Sequence, residues 1–145
     1  MIEKWDKLNS TPQGQYAVFD VRKDRMQSPT TAEEHAFYVI EAPDWVNVIP
    51  VTPDGQVVCI RQYRPGTDRV TLEVPGGVVD GGDGGPAATA WRELREETGY
   101  SADQMIPLGA VAPNPAIQTN RCHTYLAQGA YRDGEQALDG AEEID

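Results

Sequence analysis

Cysteine is scarce in this 145-residue chain, with only Cys59 and Cys122. They show neither the spacing of a disulfide framework nor that of a metal knuckle. Both are therefore expected as buried free thiols inside strands, in a reducing compartment. Long apolar runs are missing too, which argues against a bilayer-spanning helix, and residues 1–6 carry no secretory signature. Positive charge is in short supply: 12 Lys and Arg stand against 23 Asp and Glu, a formal net charge of −11. Such a surface repels nucleic-acid polymers and anionic membranes. A small phosphate compound is still admissible, because a bound cation can offset its charge. The expected setting is cytoplasmic.

There are no internal repeats, and the length suits one domain with a real core. Alternating and β-branched runs predict strands over residues 16–22, 34–41, 45–51, 56–63, 70–74, 105–111 and 119–127. The polar stretch 23–34, with Pro29, is expected as a loop or hairpin connection. Pro53, Asp54 and Gly55 form a turn signal between two of these runs, so 45–51 and 56–63 are expected as a hairpin. Strands interleaved with one strong helix imply a mixed sheet under helical cover.

That helix is the most informative stretch. In Trp91-Arg92-Glu93-Leu94-Arg95-Glu96-Glu97-Thr98-Gly99-Tyr100, three carboxylates fall at i, i+3 and i+4, on one helical face. Pro86 suits the first helical position and Gly99 the residue past the end. Leu94 with Ala87, Ala90 and Trp91 is expected to form the apolar stripe on another side. Three acids at contact spacing repel unless something positive sits among them. Arg92 and Arg95 can supply that charge as a salt-bridged, solvated face, and so can a hard divalent cation with oxygen ligands.

The preceding segment, Leu72-Glu73-Val74-Pro75-Gly76-Gly77-Val78-Val79-Asp80, reads as a short strand entering a glycine-rich loop. Glycines there let the backbone approach a ligand closely, or serve only as a flexible connector. Loop and helix together resemble the Nudix hydrolase signature, and residues 92–100 match its second half throughout. The first half departs from it: five residues after Gly77 stands Asp83 rather than Glu, and eight residues rather than seven separate Asp83 from Arg92. Asp83 is accordingly expected as a cap or loop residue and not as a ligand.

The resemblance implies an α+β fold of the Nudix type, an α/β/α sandwich around a mixed sheet. It implies Mg²⁺ or Mn²⁺ held by Glu93, Glu96 and Glu97 with the Gly76 carbonyl, and Glu96 also acting in catalysis. Gly77, Arg92 and Gly99 are then structural members of the motif, with Arg92 orienting a neighbouring Glu. Members acting on ADP-ribose and nucleotide sugars often take a further glutamate from a later loop, for which Glu142 and Glu143 are the candidates, with Glu135 a third behind them. The bland alternative for that pair is an acidic tail.

The run Arg61-Gln62-Tyr63-Arg64, followed by Glu73-Val74-Pro75-Gly76-Gly77, is similar to the ADP-ribose and nucleotide-sugar pyrophosphatase branch. By that resemblance Arg61, Arg64 and Glu73 contact substrate. Trp45, Tyr16, Phe19 and Tyr38 are candidates to stack a base, with a place in the core the alternative for each. Residues 1–45 then form N-terminal antiparallel strands usable as a dimer arm, and 46–145 the Nudix domain, apparently ending before a last strand and helix. The implied reaction is hydrolysis of a nucleoside diphosphate sugar to nucleoside monophosphate and sugar phosphate, by a homodimer. Triphosphate or RNA 5′-end pyrophosphohydrolysis and a non-catalytic nucleotide-binding domain are the alternatives. The acidic surface counts against RNA, and the three retained glutamates count against a purely binding role.

Overall fold

The structure, a computed structural model, describes residues 1–138, 140 and 143–145. The chain forms two compact units, residues 1–43 with 112–121, and residues 44–111 with 122–145.

In the first unit, β1 (Asp6–Gln15), β2 (Asp20–Gln27) and β3 (Glu34–Glu41) form an antiparallel sheet in that order. The strand expected over 16–22 is corrected. Its first residues make the turn, with the Tyr16 amide donating to the Phe19 carbonyl at 3.0 Å. β1 is polar and almost wholly exposed, so it has no alternation to reveal it, and its backbone ladder to β2 defines it instead. The hairpin connection expected within 23–34 is present but shorter: β2 runs to Gln27 and pairs with β3 from Glu34, so residues 28–33 make the connection. Asp24 on β2 is only 2% exposed. It accepts from Ser10 Oγ at 2.6 Å and pairs with Lys7 at 2.8 Å and Arg22 at 3.1 Å. Burial pushes this carboxyl up, but the bonds from Lys7, Ser10 and Arg22 outweigh it and hold it at about 2.

The second unit contains β4 (Trp45–Val51), β5 (Ile60–Arg64), β6 (Arg69–Glu73), α1 (Pro86–Thr98), β7 (Tyr100–Ser101), β8 (Gln104–Val111), β9 (Cys122–Gln128) and β10 (Tyr131–Arg132). β4 pairs with β9 in parallel and β8 pairs with β9 antiparallel, giving a mixed sheet. The expected hairpin of 45–51 with 56–63 is corrected to β5 with β6. The predicted turn does form, with the Thr52 amide on the Gln56 carbonyl at 2.9 Å and a single bridge from Val51 to Val57. It goes no further because both edges of β4 are taken. β9 holds one, and on the other Val46 and Val48 donate to the Gly77 and Pro75 carbonyls, each at 2.8 Å.

The helix begins at Pro86 and ends at Gly99, whose φ is 70°. Its last carbonyls, which have no partner within the helix, are met by residues that follow β10. Ala137 N–H donates to Glu96 O at 2.9 Å, and Gln136 Nε2 to Glu97 O at 2.6 Å. The predicted apolar stripe is corrected: Ala87 is exposed and Trp91 is 38% exposed. The buried face is instead Thr89, Ala90, Glu93, Leu94, Glu97 and Thr98. Leu94 and Ala90 pack on Val46, Val48, Tyr125 and Ala127. Burying Leu94 alone stabilises by about 1.5–3 kcal/mol.

The fold is α+β, and among the described residues α1 is the one helix, so one helical layer of the expected sandwich is represented. No described helix is long and apolar enough to cross a membrane. Cys122 is buried as expected, but Cys59 is exposed in the irregular residues before β5.

Candidate functional site

Two of the helix acids point inward. Glu93 is 7% exposed and Glu97 is 2% exposed. Buried carboxylates are costly unless hydrogen-bonded or paired, and the glycine loop meets them directly. Gly76 N–H donates to Glu97 Oε2 at 2.7 Å. Gly77 lies so close to Glu93 that a Cβ there would collide with its carboxylate, and a Cβ at Gly76 would collide with the Val46 carbonyl. The ladder from β4 to residues 75–77 presses the loop into this position, so Gly76 is required by its close approach to backbone, while a side chain at Gly77 would have to displace the Glu93 carboxylate.

Arg92 lies among the acids. Its Nη1 donates to Glu96 Oε2 at 2.8 Å, and its Nη2 lies 3.0 Å from Glu93 Oε1. Nε and Nη2 also form a fork onto both Asp83 oxygens at 2.9 Å each. The Asp83 carboxylate also accepts from Thr89 Oγ1 at 2.8 Å. Bonds from Arg92 first and Thr89 second hold the Asp83 carboxyl at about 2, and the Asp83 bond in turn raises Arg92. One guanidinium cannot neutralise three carboxylates. The hard oxygen donors and the local excess of negative charge fit a divalent cation of the Mg²⁺ class. Among the described residues no three His, Cys, Asp or Glu side chains converge as a ready-made ion cage. Arg92 takes up part of their capacity.

A cavity of about 360 Å³ opens beside the glycine loop, lined by Trp45, Asn47, Arg64, Glu73, Gly76 and Gly77 among others. Arg64 and Glu73 meet there as a fork, Nε to Oε1 at 2.9 Å and Nη2 to Oε2 at 2.8 Å. This pairing, with a further bond from Thr71, holds the Glu73 carboxyl below its usual range. Trp45, Arg64, Glu73, Gly76 and Gly77 are thus brought together around one cavity.

Arg61 lies elsewhere. It forks onto Asp145 at 3.0 and 2.5 Å, and their backbones bond reciprocally. Arg61 and Glu143 line a second cavity with Tyr63, Val70 and Ile144. Glu142 lies outside the described residues.

Asp83 lies in the loop before the helix, as expected of a cap or loop residue, and there it meets Thr89 and Arg92. One contact beside the site went unread in the sequence. Asp44 receives Val79 N–H on its carbonyl at 2.9 Å and bonds His123 Nε2 through its carboxylate at 3.0 Å, bracing the loop. No spacing pattern signals that pair.

The NUDIX domain family matches residues 42–145. A methanol dehydrogenase activator of Bacillus methanolicus is 34% identical over 108 residues, 74% of this chain and 58% of that protein. An ADP-ribose pyrophosphatase of Bacillus subtilis (strain 168) is 33% identical over 90 residues, 62% of this chain and 48% of that one. The chain thus spans about half the length of these curated relatives. The crystal structure of an ADP compounds hydrolase superposes with a TM-score of 0.85 at 22% identity, over all of this chain and 77% of that one, and so shares its fold. The family match over most of the chain, borne by a glycine loop packed on an inward-facing acidic helix, makes this protein a member of the Nudix family.

Proposed function

We propose that this protein is a divalent-metal-dependent pyrophosphohydrolase that cleaves a nucleoside diphosphate sugar of the ADP-ribose or GDP-mannose type. The products are a nucleoside monophosphate and a sugar phosphate. The observation that carries this reading is the packing of buried Glu93 and Glu97 against the Gly76–Gly77 backbone, beside a cavity holding Trp45 and the Arg64–Glu73 fork. The names of the ADP-ribose pyrophosphatase relative and of the structural neighbour support the substrate class.

Glu93, Glu96, Glu97 and the Gly76 carbonyl are the groups that would hold Mg²⁺ or Mn²⁺. When bound, such an ion lowers the pKa of water and offsets charge on the diphosphate oxygens. Arg64 offers a planar fork of donors suited to a phosphate, with Glu73 fixing its direction. Trp45 provides an aromatic face for the base. Glu96, more open than Glu93 and Glu97, is the carboxylate best placed on the helix to take a proton from attacking water. Glu143 and Arg61 belong with the second cavity, so their involvement requires the substrate to extend there.

The setting we propose is cytoplasmic. Residues 1–45 are proposed as a homodimer arm, since β1 and β3 leave Leu8, Phe37 and Tyr38 exposed; sedimentation at micromolar concentration tests this.

The function is tested with a panel of ADP-ribose, GDP-mannose, UDP-glucose, ATP and diadenosine polyphosphate, with Mg²⁺ and then with EDTA. Metal-dependent release of a nucleoside monophosphate from a sugar nucleotide is the expected result. Preference for ATP would move the activity to triphosphates, and silence from folded protein would leave a nucleotide-binding domain.

A further inference from the structure

The first half of the signature is broken in this chain, yet the structure places an acid where it can act. We propose that Asp83 is a positioning residue: it fixes Arg92 so that the guanidinium orients Glu93 and Glu96, and one extra loop residue makes up for its shorter side chain. This inference rests on the hydrolase reading above.

Asp83 meets Arg92 through both carboxylate oxygens, the geometry that best fixes a guanidinium plane. With Nε and Nη2 committed to Asp83, Nη1 is aimed at Glu96, while Nη2 also lies against Glu93. Thr89, fully buried on the same helix, donates to Asp83 Oδ2, the oxygen that Arg92 Nη2 also meets. Asp83 therefore ties loop to helix at two points one turn apart.

The loop is built for this. Residues 80–83 close a turn, Asp83 N–H to Asp80 O at 3.1 Å, and the Asp80 carboxylate accepts from Gly82 N–H at 3.1 Å. Gly84 and Gly85 then take φ of 83° and 117°, in the region side chains rarely adopt. A Cβ at either would meet nothing, so their requirement is conformational and not spatial. These two residues let the longer connection turn back into Pro86 while leaving Asp83 beside Arg92. A glutamate at 83 in the same backbone would carry its carboxylate a methylene too far. Removing Gly84 would restore both the seven-residue spacing and the room for it.

The test compares the parent chain with Asp83→Asn, with Asp83→Glu, and with Asp83→Glu lacking Gly84. Mn²⁺ affinity is read by electron paramagnetic resonance without substrate, kcat and KM are measured on ADP-ribose, and Tm is recorded. Asp83→Asn should weaken Mn²⁺ binding or kcat by about 10- to 100-fold, the usual effect of losing a group that orients metal ligands. KM and Tm should stay close to the parent. Asp83→Glu should be impaired, and deletion of Gly84 should recover it, a rescue that keeps the test open if Asp83→Asn folds poorly. Parent-like Mn²⁺ binding and kcat in Asp83→Asn would overturn the inference. So would a deletion that worsens Asp83→Glu. A parent chain that neither binds Mn²⁺ nor hydrolyses any sugar nucleotide would overturn the hydrolase reading itself, and the inference with it.

Discussion

The amide of Gly76 donates to the carboxylate of Glu97 at 2.7 Å, joining the glycine loop to the acidic helix across 21 residues of sequence. The bond gives a buried acid a partner and locks the loop where its backbone can share a ligand with the helix. It also explains why Glu97→Gln is a clean probe. The amide oxygen of Gln still accepts from Gly76, so Tm should change little. The charge is lost, so metal-dependent turnover should fall by several kcal/mol of transition-state stabilisation, on the order of 10³-fold or more. Activity kept with Mg²⁺ would remove Glu97 from the site.

Gly77→Ala should act through shape. Its methyl would be driven into the Glu93 carboxylate, and overpacking of this kind costs about 1–3 kcal/mol. A Tm drop together with loss of hydrolysis is the expected outcome. A stable, active variant would mean that loop and helix separate more freely than their packing implies.

Arg64→Lys keeps the charge but removes the fork onto Glu73. Both partners are partly exposed, so stability should move by no more than about 1 kcal/mol. If the fork receives a phosphate, KM for the sugar nucleotide should rise about tenfold while kcat holds nearer its parent value. An unchanged KM would make the pair purely structural.

Asp24 should set much of the acid sensitivity. Its carboxyl is held at about 2 when folded and near 3.9 when unfolded, so the unfolded chain binds the proton more readily. Stability from this group is in place above about pH 4 and is lost as pH falls toward 2. Urea unfolding between pH 2 and 6 should show that decline, and Asp24→Asn should flatten it. An equal slope in both proteins would contradict the assignment.

The helix was legible because its signals are local. Pro86, Gly99 and the acids at 93, 96 and 97 lie within one short window, and the helix forms where they predict. The partner of β4 was not legible, because parallel pairing joins Trp45 to Cys122, and nothing in either strand alone names the other. Trp91 and Ala87 were misplaced for a different reason. An apolar stripe was sought, whereas the buried face includes Glu93 and Glu97. Their burial is repaid by the glycine loop and Arg92, partners that a helical pattern does not contain. Asp83 was legible as a loop residue, but its bonds to Arg92 were not, because they depend on the backbone turn at Gly84 and Gly85 as well as on the spacing.

The most direct measurement is adenosine monophosphate formation from ADP-ribose by the parent chain and Glu97→Gln, side by side, with Mg²⁺ and with EDTA. The account predicts product from the parent with Mg²⁺ alone, and little or none in the other three conditions. Equal product from both proteins, or product that persists in EDTA, would contradict a metal site on the helix face.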